Sequence, residues 1–106
     1  MNMNIQSLMQ QAQKMQKKML EVEEAFKEER FTAEAGGGAV KATVGGDMTL
    51  RGVVIGDELM KSGDREMVQD LVMVAVNSAF DAARREKEAR LSKLMGKAGA
   101  GMPGMF

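Results

Sequence analysis

Leu71-Val72-Met73-Val74-Ala75-Val76-Asn77-Ser78-Ala79-Phe80 is the stretch on which the reading of this chain turns. Six apolar residues run unbroken from Leu71 to Val76, and polar residues then return in a helical rhythm. A helix that is apolar all round has to be covered on nearly every side. A 106-residue chain with one modest sheet has little surface of its own with which to do this, and small domains are often completed by association. The stretch therefore predicts a helix packed on its own sheet and also against a second copy of the chain. The contact with that copy is expected at Leu71, Val72, Val74, Ala75 and Ala79. The plainer alternative is a central helix in a monomer core.

Outward from this stretch the helical pattern extends from about Arg65 to Met95. Asp64 is suited to cap its start, because a short carboxylate accepts the free amides of a first turn. Val68, Leu71, Val72, Ala75, Ala79, Ala82 and Ala83 form one wide apolar stripe, assigned to the sheet and the partner. Met73, Val76, Phe80, Leu91 and Leu94 form a second stripe, assigned to another helix. Past Ala83 the wide stripe turns polar, with Glu86, Arg90, Lys93 and Lys97.

That other helix lies at the start of the chain, from Ile5 to Glu29. Leu8, Ala12, Met15, Met19, Val22 and Phe26 recur at spacings of 4, 3, 4, 3 and 4, the seam of a coiled-coil-like helix. At ~1.5 Å per residue it is on the order of 35 Å long. That is too long to lie wholly on a small sheet, so part of it should project; residues 1–4 read as frayed. Its charges are segregated: Lys14, Lys17 and Lys18 with no acid up to Leu20, then Glu21, Glu23, Glu24, Glu28 and Glu29 against Lys27 alone. This order opposes the helix dipole, which favours acids at the start. The bland reading is a solvated face with local pairs such as Glu23–Lys27.

Between the helices lie three short strands. Arg30–Ala35 and Val40–Val44 alternate apolar and polar residues, and Met48–Ile55 reads as a third strand. Gly36-Gly37-Gly38 and Gly45-Gly46-Asp47 supply the hairpin turns, since glycine takes positive φ at little cost. The predicted fold is α+β, in the order α-β-β-β-α, with a three-stranded antiparallel meander and two long helices that protrude. Residues 1–95 form one domain and residues 96–106 a flexible Gly- and Met-rich tail. Asp57–Gly63 is a polar link with room for one helical turn. The glycine run is not a phosphate loop: a strand follows it rather than a helix, and no Lys-Ser/Thr pair closes it.

Composition narrows the function. There are 15 basic and 15 acidic residues, so any electrostatic role must come from their placement. Cysteine and histidine are absent, which removes disulfides and the commonest acid–base group and metal ligand. Glu24 and Glu28, one turn apart, are better read as solvated than catalytic. Neither an enzyme nor a cofactor or metal site is expected. With four Phe and no Trp or Tyr, stacking platforms for single strands are not expected either. No apolar run is long enough to cross a membrane, so a cytoplasmic protein is expected.

The basic residues are unevenly placed. Residues 81–97 hold Arg84, Arg85, Lys87, Arg90, Lys93 and Lys97 against three acids, a net charge of +3, and residues 5–20 also carry +3. Residues 31–80 carry four bases and seven acids, or −3. If the two helices run antiparallel, both basic ends meet at one far tip. The body is then acidic and each prong of the dimer basic.

Three stretches, taken in order, resemble the YbaB/EbfC family of bacterial nucleoid-associated proteins. They are Met9-Gln10-Gln11-Ala12-Gln13-Lys14-Met15-Gln16-Lys17-Lys18-Met19, Gly36-Gly37-Gly38-Ala39-Val40-Lys41-Ala42-Thr43-Val44-Gly45-Gly46 and Asp70-Leu71-Val72-Met73-Val74-Ala75-Val76-Asn77-Ser78-Ala79. The closing Met102-Pro103-Gly104 adds to them, and the likeness spans about Leu8 to Phe106. The resemblance implies a homodimer with tweezer-like helices that binds double-stranded DNA with relaxed sequence preference, organising the nucleoid and regulating genes. It puts the DNA contacts on the protruding helices, at positions matching Lys14, Lys17, Lys18, Arg84, Arg85, Lys87, Arg90, Lys93 and Lys97. Ile55-Gly56-Asp57 departs from the family's usual Asp-Pro after the third strand. The competing class is a protein-interaction adaptor that uses Met-rich helical surfaces and does not bind DNA.

Overall fold

The computed structural model describes residues 4–98, with side chains through residue 96. Helix α1 spans Ile5–Lys27, strands β1, β2 and β3 span Arg30–Ala35, Val40–Gly45 and Leu50–Ile55, helix α2 spans Asp57–Lys61 and helix α3 spans Arg65–Ala98. The strands form one antiparallel meander in the order β1-β2-β3. The α-β-β-β-α order is the expected one, with α2 as the helical turn of the polar link. The molecule measures 72 × 27 × 15 Å, with a radius of gyration of 20.4 Å. A compact chain of this length would have a radius near ~13 Å. Elongation is thus its main geometric property.

The core is a line of small residues pressed on the middle strand. Ala75, Ala79 and Ala83 of α3 and Val40, Ala42 and Val44 of β2 have no accessible surface. On a strand alternate side chains share a face, so Val40, Ala42 and Val44 look inward while Lys41 looks out. In register with them, Ala35 faces Val40, Ala33 faces Ala42 and Phe31 faces Val44. The outer face is polar: the Thr32 and Thr43 hydroxyls lie 2.9 Å apart, and Lys41 pairs with Glu34 at 3.5 Å.

Both long helices begin on side-chain caps. Asp64 Oδ1 accepts the Met67 amide at 3.0 Å, as expected, and Asn4 Oδ1 accepts the Ser7 amide at 2.8 Å. Asn4 therefore holds a turn where the sequence suggested fraying. Helix α3 continues past Met95 and through Gly96 to Ala98. Glycine costs a helix about 1 kcal/mol but ends one only where the chain turns left-handed, so the boundary expected at residue 95 is not a helix end. The tail beyond Ala98 lies outside the described residues.

The third strand starts at Leu50, because Met48 is taken up in the turn before it at φ 62°. Asp47 winds that turn by accepting the Thr49 hydroxyl at 2.6 Å and Arg51 Nη2 at 2.8 Å. The Thr49 hydrogen bond, and then Arg51, hold its carboxyl below the usual range.

Gly46 joins this turn to the root of α1. Its amide donates to the Glu29 carbonyl at 3.1 Å, and a Cβ at Gly46 would stand 1.7 Å from the Phe26 carbonyl oxygen. Backbone cannot yield as a flexible side chain can. Gly46→Ala is therefore expected to destabilise the fold by more than about 2 kcal/mol. Gly52→Ala, with nothing within 4 Å of the new carbon, should change stability by under about 1 kcal/mol. Urea midpoints at one fixed protein concentration test the pair.

Candidate nucleic-acid interface

The prong arises because two helices outrun the sheet. A six-residue strand covers about 20 Å, whereas the 34 residues of α3 reach about 50 Å. Its overhang is joined by α1 running antiparallel: Phe26 lies against Arg90, and Val22 shares a groove with Arg90, Lys93 and Leu94. Carried on at one helical rise per residue, this pairing sets Ala98 level with about Lys18. Helix α1 continues beyond that level, and burial along its seam fades accordingly. Phe26 is buried, Val22, Met19 and Met15 are half-buried, and Leu8 and Ile5 are exposed, Ile5 by 74%. The two basic ends thus overlap without being flush.

The nine candidate cations fall into two groups. Lys14, Lys17 and Lys18 are exposed and far from the sheet, while Lys93 is exposed but beside Val22, level with about Glu23 of α1. Lys97 is on the same overhang, with its side chain outside the described residues. On a helix, residues 14, 17 and 18 fall within an arc of about 100°, so the three lysines share one face. No acid interrupts residues 5–20 or 91–98. The remaining four cations stand nearer the body. Arg84 pairs with Asp81 at 2.7 Å. Arg85 is exposed, and Lys87 lines a groove with Glu23, Phe26, Lys27, Gly46, Asp47 and Met48.

Arg90 is occupied by the protein itself. Its guanidinium forms a two-pronged pair with Glu29, one arm of it Nη2 to Oε1 at 2.6 Å, and its Nε donates to Glu86 at 3.0 Å. The same group lies 5.2 Å from the centre of the Phe26 ring, which in turn stacks at 5.1 Å on Phe31. Hydrogen bonding by Arg90 holds the Glu29 carboxyl below its ordinary value of 4.5, and the two glutamates raise Arg90 further above its already high value. The sequence offered no signal for this joint, because Glu29 and Arg90 are 61 residues apart.

The residues expected at a partner contact also divide. Ala75 and Ala79 are fully buried against the sheet within one chain and have no surface left to offer. Leu71 and Val72 are half-buried, and Val74 is 52% exposed. Of the second stripe, Val76 and Phe80 pack against the core, while Met73 is exposed. Helix α3 crosses β1 and β2 and barely reaches β3. This leaves Leu50 about half exposed and Val53 and Ile55 only partly covered. Among the described residues no group of acids is arranged to hold a metal ion, and no helix is long and apolar enough to cross a membrane.

Comparison with known proteins agrees with this architecture. Residues 1–98 match the family model described as the YbaB/EbfC DNA-binding family. A nucleoid-associated protein of Clostridium novyi is 42% identical over 104 residues, covering 98% of this chain and 90% of the relative. One of Enterococcus faecalis is 43% identical over 101 residues, covering 95% and 93%. The crystal structure of an uncharacterized protein from Helicobacter pylori superposes with a TM-score of 0.77 at 26% identity, covering 90% of this chain and all of that one.

The joint has a pH signature. Glu29 titrates lower in the folded chain than when unfolded, so its pairing stabilises the fold above pH about 4.5 and is lost as pH falls through the folded value. Arg90→Met is therefore expected to lower the melting temperature near neutrality. The gap from the natural chain should close in acid below that value. Thermal melts across the acid range test this.

Proposed function

The chain belongs to the YbaB/EbfC DNA-binding family, and we propose that it is a nucleoid-associated protein that grips double-stranded DNA as a homodimer. The contact is made by the acid-free lysines at the tips of the prongs. The observation that carries this reading is the charge order along the long axis: lysines alone at the tip, then the glutamates of residues 21–29, then a body with excess acid. Lysine ammonium groups are compact point charges, suited to phosphates rather than to base edges. Each phosphate neutralised releases counterions, so affinity falls steeply with salt. The tip offers lysine point charges rather than forked groups that pair with base edges, so sequence preference is weak and follows DNA shape. The glutamates behind the tip repel phosphate and confine the duplex to the distal part. Relatives named as nucleoid-associated proteins support this reading, in which the chain serves chromosome organisation.

Dimerisation is inferred from what α3 leaves uncovered. Met67, Leu71 and Val74 recur at helical spacing on a flank about 110° from the alanine line that meets the sheet. Met67 and Val74 are exposed, and β3 has a poorly covered inner face. An exposed apolar surface of this kind marks an association site. Two copies joined there would carry two prongs.

Reversing Lys14, Lys17 and Lys18 to Glu is expected to abolish binding to a mixed-sequence duplex while the dimer stays folded; unchanged affinity would refute the tip assignment. Val74→Asp is expected to give a folded monomer by light scattering, and an intact dimer mass would refute this face as the interface. Binding that survives salt but requires the exposed methionines would favour the adaptor reading.

A further inference from the structure

Helix α1 is a cantilever. Its first half has no packing partner among the described residues, and its fixings are concentrated at its root. There Phe26 is buried and, two residues past the helix end in the link to β1, the Gly46 amide bonds to the Glu29 carbonyl and Arg90 of α3 clasps the Glu29 side chain. The first two fixings tie the root to the β2–β3 turn. Only the Arg90 clasp, with its guanidinium also set over the Phe26 ring and bonded to Glu86, ties it by charge to the other arm of the prong.

Leverage makes this joint matter at the tip. Lys14 is twelve residues from Phe26, about 18 Å along the helix. A tilt of about 10° at the root shifts Lys14 by about 3 Å, as long as the hydrogen bond to a phosphate that the lysine would make. A two-pronged guanidinium–carboxylate pair fixes direction as well as distance, which a lysine ammonium does not.

We propose that Arg90 is a positioning residue, which sets the angle of α1 against α3 and so the spacing of the tip lysines, rather than a group that touches DNA. This rests on the reading of the tips as the DNA contact. The same joint would set the angle of the prong, because the apolar contact of Val22 with the α3 overhang, unlike a forked ion pair, does not fix direction.

The test uses two variants whose charge effects oppose their geometric effects. Arg90→Lys keeps the cation but loses the fork, and Glu29→Ala removes an acid, a change that charge alone would turn toward tighter binding. Affinity for a short mixed-sequence duplex is measured by titration. In parallel, the chain has no cysteine, so Gln13→Cys and Ser92→Cys place one spin label on each arm. Dilution into unlabelled protein keeps each label pair within a single protomer. If the joint sets the angle, both variants bind on the order of tenfold more weakly, the scale of losing one or two phosphate contacts, and the interlabel distance shifts or broadens. If Arg90 meets phosphate directly, Arg90→Lys binds as the natural chain does, Glu29→Ala binds more tightly and the distance is unchanged; that overturns the proposal. An altered distance with unaltered affinity also overturns it. If the natural chain binds no duplex, the tip reading fails, and the distance alone then decides the joint: a shift supports it and no shift refutes it.

Discussion

Everything in this fold follows from the contact of Ala75, Ala79 and Ala83 with Val40, Ala42 and Val44. Three alanines one turn apart let the backbone of α3 settle close on the sheet, and they exclude water from the inner face of the middle strand at Val40, Ala42 and Val44. The contact is narrow. A helix with so small a contact face cannot cover three strands, so α3 lies along β1 and β2 and leaves β3 partly bare. It is also short. The apolar face of a six-residue strand is used up within a few helical turns, and the rest of α3 runs on past the sheet.

The overhang has no core to fill, so its side chains are free to be charged, and toward its end they are charged with one sign. From Ile5 to Leu20 and from Leu91 to Ala98 no acid appears. The matching acids sit behind the tip, on the root of α1 and on the body. A chain with no net charge thereby becomes a polar rod 72 Å long, whose ends respond oppositely to a polyanion. The cations at the root differ in kind from those at the tip. They are mostly arginines, and two of them, Arg84 and Arg90, are paired within the chain.

Much of this was legible in the sequence, because period and punctuation are local. The alternation of Val40, Ala42 and Val44, the glycines of both turns and the cap at Asp64 each gave their element directly. What stayed hidden depended on choosing between neighbours. Helical spacing puts Ala75 and Ala79 on one apolar face with Leu71 and Val72, but within one chain the sheet takes the whole surface of the alanines, whereas Leu71 and Val72 are only half-buried. Met48 has strand character, yet Asp47 draws Thr49 and Arg51 into a turn that carries it left-handed. Arg90 belongs to a basic series, and only the return of the chain at Glu29 shows that its charge is already matched.

The most direct test of the account is the dependence of duplex affinity on salt for the natural chain, plotted as log K against log salt concentration. Lys14, Lys17, Lys18 and Lys97 at the two tips are enough to displace several counterions from B-DNA. A straight line with a slope near about −4 or steeper is expected, with little difference between unrelated duplex sequences. A flat line, or no binding even at low salt by a protein that is folded and dimeric, would contradict the claim that the prongs grip phosphate.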